Sequence, residues 1–237
     1  MAKLKVVGSG SKGNCYIIQT STSTLILELG VSWKEVLKAL NYKIDNVVAA
    51  LSTHVHQDHA KSIPNALEYN IPVYSNKEVA EKYEGVKALK PKVNYKIGDF
   101  KVMPLEVEHN CLNYAYIIQH DEFGKLMFCT DAVRFPYKVK GINHMLIEAN
   151  YSNDVVIDNL CNNYDIMSHN ENHMEIGETL NAVSNNYSDE LNNIVLIHLS
   201  QFQSDFNDFS DKIVQQVGIQ PIMAEKGLEL EISKEAF

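Results

Sequence analysis

Apolar and polar positions alternate along this chain with two different periods, and each period predicts its own kind of element. Strand-length runs rich in β-branched and aromatic residues fall at Leu4–Val7, Cys15–Gln19, Thr24–Leu29, Val47–Leu51, Pro72–Tyr74, Lys101–Val107, Asn113–Gln119, Lys125–Cys129, His144–Glu148, Ile194–His198 and Leu228–Ile232. Helical spacing predicts helices over Trp33–Leu40, Ala60–Tyr69, Lys77–Tyr83, Glu175–Asn185 and Asp208–Val217, with a weaker pattern at Asp154–Leu160. Strands and helices alternate, with hairpins interspersed. That order predicts sheets packed face to face with helices outside, a layered α/β arrangement. No charge block or Pro/Gly/Ser-rich linker interrupts the pattern, so residues 1–237 are expected to form a single domain, and 45% hydrophobic composition can bury a large core.

Composition bears on the setting. Met1-Ala2-Lys3-Leu4 passes straight into the first strand rather than into a signal peptide, and no apolar stretch approaches about 18 residues. A cytoplasmic protein with no membrane span is expected. Cys15, Cys111, Cys129 and Cys161 are widely spaced with no C-x-x-C pair, which fits reduced, buried thiols better than disulfides. The net charge of −9 argues against a broad electrostatic grip on a nucleic-acid duplex, since such binding relies on many Lys and Arg contacts to phosphate. A small substrate escapes that objection.

The densest chemistry lies in Thr53-His54-Val55-His56-Gln57-Asp58-His59, behind the apolar run Val47–Leu51 and ahead of the helical pattern Ala60–Tyr69. The expected setting is a loop at a strand end, where catalytic groups usually sit. Imidazole nitrogen and carboxylate oxygen suit Zn²⁺, and also Mn²⁺ or Fe²⁺. His54 and His56 can converge on one ion while Asp58 and His59 turn towards a second. Two close ions need further ligands, and three later apolar runs each end in one: His109 after Met103–Val107, Asp131 after Leu126–Thr130, and His198 after Asn193–Ile197. His120 and His144 lack that context and are expected to be structural.

The pattern H-x-H-x-D-H, then a His, an Asp and a His, resembles the metallo-β-lactamase-fold superfamily over essentially the whole chain. The resemblance implies an αββα four-layer sandwich with two divalent ions, zinc with manganese as the alternative, at the strand ends. His54, His56 and His109 would hold the first ion and Asp58, His59 and His198 the second, with Asp131 between them. Gly8-Ser9-Gly10-Ser11-Lys12-Gly13-Asn14-Cys15-Tyr16 is similar to the glycine-rich opening of WalJ-type nucleases and their small phage relatives. Glu148-Ala149-Asn150-Tyr151, His173 with Glu175 and Thr179, and His198-Leu199-Ser200-Gln201-Phe202 resemble motifs of ribonuclease Z-like phosphodiesterases. The chain departs from the family's usual Asp-x-Gly at Glu28-Leu29-Gly30 and has Ser62 where a small Gly often stands.

The resemblance implies hydrolysis of a phosphodiester by an activated water, with Asp58, Glu148 and His173 as the catalytic groups. His173 would protonate the leaving ribose oxygen and Glu148 would orient it and raise its pKa. His169 is expected on a surface loop. The acidic charge and the lack of an inserted clamping domain favour a small nucleotide substrate, a cyclic mononucleotide as in phage anti-Pycsar enzymes. A homodimer sharing its pocket is compatible with this. The alternative is a WalJ-like or ribonuclease Z-like nuclease acting on DNA or RNA, which would need a local cationic surface such as Lys87, Lys90, Lys92 and Lys96. A non-hydrolytic metal or nucleotide-binding protein is the remaining class.

Overall fold

The computed structural model describes residues 1–154 and 171–234. The weak helical pattern at Asp154–Leu160 runs out of this range, and Cys161 and His169 lie outside the described residues. One seven-stranded sheet contains β1 (Lys3–Gly8), β2 (Cys15–Gln19), β3 (Thr24–Leu27), β4 (Val47–Leu51), β5 (Val73–Ser75), β6 (Lys87–Ala88) and β14 (Glu229–Glu231). The other contains β7 (Tyr95–Ile97), β8 (Phe100–Val107), β9 (Asn113–His120), β10 (Gly124–Cys129), β11 (His144–Glu148), β12 (Asn193–Ile197) and β13 (Ile222–Met223). Their orders are β14-β1-β2-β3-β4-β5-β6 and β13-β12-β11-β10-β9-β8-β7. In each, an antiparallel meander joins a parallel half, β3 to β6 and β10 to β13.

Parallel neighbours need crossovers, and helices supply most of them. On the first sheet these are α1 (Trp33–Ala39), α2 (Gln57–Ala60), α3 (Ile63–Glu68) and α4 (Lys77–Lys82); on the second, α5 (Ile176–Asn186) and α6 (Phe206–Val217). Both faces of each sheet are therefore covered. Tyr16, Ile18, Leu27, Leu51, Phe100, Tyr116, Phe128 and Ile197 fill the space between the sheets, while Ile17, Ile26 and Ala50 turn outward to meet Val36, Ile63 and Val79 of the helices. Met127, Ile147 and Leu196 meet Val183, Phe209 and Ile213 in the same way on the other side. Burial on both faces is why these strands read as continuous apolar runs rather than alternating ones. The result is the expected αββα sandwich.

The structure corrects several element boundaries. The predicted helix Ala60–Tyr69 is shortened to α3, while Ala60 closes the separate turn α2, because Pro64 lacks an N–H and suits the first turn of a new helix. Asp58 and His59 consequently sit on the helical turn α2, not on an open loop. The predicted strands Thr24–Leu29 and Ile194–His198 stop at Leu27 and Ile197, where Glu28 (φ 67°) and His198 (φ 53°) turn into the left-handed region. The short edge strands β6, β7 and β13 carry too few residues to give a periodic signal. No helix among the described residues is long and apolar enough to cross a membrane.

Candidate metal centre

The sheet topology brings one end of β4, β8, β10, β11 and β12 to the same edge of the sandwich. His54, His109, Asp131, Glu148 and His198 lie at those strand ends, and all seven residues expected to bind metal meet there. His54 Nε2 is 3.0 Å from His56 Nδ1, which is 3.4 Å from His109 Nε2. Beside this trio, His59 Nε2 lies 3.2 Å from both Asp58 Oδ2 and Asp131 Oδ2, and His198 Nε2 lies 3.8 Å from Asp58 Oδ2. Asp131 Oδ2 is also 3.8 Å from His54 Nε2, so this carboxylate stands between the two groups. Asp131 (φ 50°) and His198 (φ 53°) both hold left-handed backbone, uncommon for non-glycine residues and concentrated at functional sites.

Neighbouring groups fix each ring. Thr53 Oγ1 is 2.8 Å from His54 Nδ1, and the Asn172 carbonyl is 2.9 Å from His109 Nδ1. Thr130 donates to Asp131 Oδ1 at 2.8 Å, while Asn113 Nδ2 donates to the Asp131 carbonyl. Glu28 is fully buried, accepts from the Thr53 N–H at 3.2 Å, and sets Oε2 3.5 Å from His59 Nδ1. The longer Glu, where the family has Asp, thus still reaches the histidine of the second group. Ser62, where a Gly is usual, is buried and donates to the Val31 carbonyl at 2.6 Å.

The glycine-rich segment wraps this centre. The Asn14 N–H donates to the Asp58 carbonyl at 2.8 Å, Asn14 Nδ2 is 3.0 Å from His59 Nε2, and Ser9 Oγ accepts from the His198 N–H at 2.9 Å. Gly30 is required by proximity, since a Cβ there would lie 2.8 Å from the Asn14 nitrogen and far inside the Asp58 carbonyl.

Glu148 and His173 form the adjoining pair. Glu148 is fully buried; its Oε2 accepts from the Ala132 N–H at 3.0 Å, and its Oε1 lies 2.7 Å from His173 Nδ1 and 3.3 Å from His198 Nδ1. The His173 and His198 rings stack at 5.1 Å. Ligand-capable atoms of Asp131, Glu148, His173 and His198 all lie within 4.8 Å of one another. The cleft, about 250 Å³, is bordered by Ser11, His56, Asp58, Asp131, His173 and His198, with Asn110 and Asn172 also on its wall.

Electrostatics shows what the centre demands. Burial opposes ionisation of Asp131, yet His198 and His59 outweigh it and hold the carboxyl well below its usual range. Burial likewise opposes the charge of His198, but the nearby carboxylates of Asp131, Asp58 and Glu148 push it up to about 10. His59 is raised in the same way, whereas burial and the neighbouring His59 hold His54 well below its ordinary value. Carboxylates here call for positive charge, and a divalent cation meets that call with the same atoms. Imidazole nitrogens and carboxylate oxygens at these separations suit Zn²⁺ or Mn²⁺. His59 Nδ1 and His198 Nε2 are buried with no hydrogen-bond partner among the described residues. The donor set fits a divalent metal.

Sequence reasoning gave no role to Ser11, Asn14, Thr53, Asn110 or Asn172, although Ser11 and Asn14 lie in the glycine-rich segment and Thr53 heads the histidine-rich one. It also missed Cys111, half-buried with Sγ 3.9 Å from His56 Nε2, whereas Cys15 and Cys129 are buried as expected. His120, 3.2 Å from Asp99 Oδ2, and His144, 3.0 Å from Asn193 Nδ2, lie outside the centre.

The four layers and the histidine–carboxylate cluster at their edge are the architecture of a metal-dependent hydrolase. Residues 8–109 match the family model of the metallo-beta-lactamase superfamily. The chain is 26% identical to the exodeoxyribonuclease YycJ of Bacillus anthracis, across 94% of this chain and 89% of that one. It is 27% identical to the exodeoxyribonuclease WalJ of Streptococcus pneumoniae, over 65% of this chain and 64% of that one. The metallo-beta-lactamase fold protein YhfI of Bacillus subtilis has the same fold, with a TM-score of 0.77 and 17% identity over 98% of this chain and all of that one.

Proposed function

We propose that this protein is a two-ion phosphodiesterase that removes nucleotides from the ends of DNA chains. The observation that carries the hydrolytic part is the His173–Glu148 pair, 2.7 Å apart on the wall of the metal cleft. Bound ions would supply a water-derived nucleophile at neutral pH and would polarise the phosphoryl oxygens. His54, His56 and His109 would hold one and Asp58, His59 and His198 the other, with Asp131 shared. His173 then delivers the proton that the departing sugar oxygen needs, while Glu148 orients the ring and keeps it protonated. Burial lowers the His173 pKa, but the Glu148 carboxylate outweighs burial and leaves it above the usual histidine range.

The DNA part is supported by the relative called an exodeoxyribonuclease that aligns with 94% of the chain. A local cationic surface also favours it. Lys87, Lys90, Lys92 and Lys96 are exposed on or beside β6 and β7, whose edges adjoin where the Lys90 N–H donates to the Tyr95 hydroxyl at 2.9 Å.

Hydrolysis of a cyclic mononucleotide is the second reading, favoured by the net charge of −9 and by a metal cleft of only about 250 Å³. Protein loaded with Zn²⁺ or Mn²⁺ and given end-labelled single- and double-stranded DNA, RNA and cyclic mononucleotides separates the two. Stepwise release of mononucleotides from DNA is the expected result. Cleavage of cyclic mononucleotides with DNA left intact would replace the first reading with the second, and inertness towards every phosphodiester would remove both.

A further inference from the structure

A second cavity, about 640 Å³, opens beside the metal cleft and shares Ser11 with it. One wall is the glycine-rich loop with Ser11 and Lys12; the other is the segment after His198, with Gln201, Phe202 and Gln203. None of the seven candidate metal ligands lines it, so the metal centre does not account for it. The volume falls in the range of small-molecule sites, roughly 300–1,000 Å³.

Two features say what it would take. Asn150 lines the cavity and is only 3% exposed; its Nδ2 donates to the His198 carbonyl at 2.8 Å, which fixes Oδ1 as an acceptor. That Oδ1 is buried with no hydrogen-bond partner among the described residues, an unfavourable state for an acceptor that no donor reaches. Lys12 is the only Lys or Arg among the described residues lining either cavity. An unsatisfied acceptor, a flanking cation and a wall shared with the metal cleft at Ser11 are what a nucleoside attached to a reacting phosphate would use.

We propose that this cavity holds the nucleoside next to the scissile phosphate, with Asn150 Oδ1 accepting from an N–H or O–H of that nucleoside and Lys12 pairing with the following phosphate. The inference rests on the phosphodiesterase reading and deepens it. A cyclic mononucleotide has no following phosphate, so Lys12 would favour a polynucleotide chain over it.

The test uses metal-loaded full-length protein and three substrates: bis(p-nitrophenyl) phosphate, thymidine 5′-(p-nitrophenyl phosphate), and a single-stranded DNA oligonucleotide with or without its base beside the cleaved bond. Lys12→Glu should raise KM for the oligonucleotide by roughly 3–10-fold more than for the thymidine ester, the size expected of one reversed surface charge. Removing the base should raise KM for wild-type protein by about tenfold with less effect on kcat. Oligonucleotide cleavage indifferent both to Lys12→Glu and to loss of the base would overturn the subsite while leaving the phosphodiesterase reading intact. Hydrolysis of bis(p-nitrophenyl) phosphate with no action on either nucleotide substrate would overturn the DNA reading and the subsite with it.

Discussion

Gly30 and Asp58 are in contact through their backbones: a Cβ added at Gly30 would fall 1.6 Å from the Asp58 carbonyl oxygen. The same carbonyl accepts from the Asn14 N–H at 2.8 Å, and the Gly30 N–H donates to the Asn14 carbonyl at 2.9 Å. Position 30 therefore couples the glycine-rich loop to the helical turn that carries Asp58 and His59. Backbone on both sides leaves no flexible side chain to yield.

Gly30→Ala is expected to cost about 3 kcal/mol or more, at the upper end for overpacking. Gly218, whose Cβ would meet nothing within 4 Å, is the control; there only its left-handed φ of 73° matters, at about 1 kcal/mol. Denaturant midpoints together with bound metal check this, and equal midpoints for Gly30→Ala and wild type would contradict it.

His173→Ala should lower turnover on DNA by roughly 10²–10⁴-fold, the usual range for a positioned acid. A p-nitrophenyl phosphodiester needs little protonation of its leaving group and should lose much less. Metal content should be unchanged; loss of an ion would instead make His173 a ligand, as its place among Asp131, Glu148 and His198 allows.

The same pair sets a pH dependence. The folded pKa of His173 is raised, burial opposing and Glu148 prevailing, so the acid form persists above the ordinary value of about 6.5 and is lost as pH rises through the folded value. Turnover should accordingly fall on an alkaline limb placed above about pH 6.5. Glu148→Gln removes the charge and should move that limb to lower pH, and a limb that stays put would count against Glu148 as its cause.

His144, outside the centre, should govern acid stability. Burial lowers its pKa to about 4, so below about pH 6.5 the unfolded chain takes up a proton that the folded protein refuses. Stability should fall between roughly pH 6.5 and 4, by about 3 kcal/mol in all, and level off below. His144→Gln should flatten that slope. Denaturation at pH 7 and 4.5 checks it, and an equally steep fall in the variant would assign the loss to other groups.

The ligand set was legible because each donor closes an apolar run: His109, Asp131 and His198 follow β8, β10 and β12, and strand ends in this topology share one edge. Pairing of Glu148 with His173 was legible only through a family resemblance, since a separation of 25 positions gives no local signal. Asn14, Thr53 and Asn150 act through geometry across distant segments, which no periodicity encodes. Cys111 was obscured by the blandness of a lone cysteine, and the break between α2 and α3 by an apolar spacing that continues across Pro64. The expectation of a small substrate rested on net charge, which averages over the surface and conceals both the lysines near β6 and β7 and the single Lys12 beside the cleft.

Titrating Zn²⁺ or Mn²⁺ into metal-free protein, with bound metal and release of mononucleotides from labelled DNA read on the same samples, tests the two-ion phosphodiesterase most directly. Activity should rise to its maximum near about two ions per chain, as a two-metal site requires. Asp58→Ala should bind one fewer ion and release nothing. Full activity at a single ion, or two bound ions with every phosphodiester left intact, would contradict it.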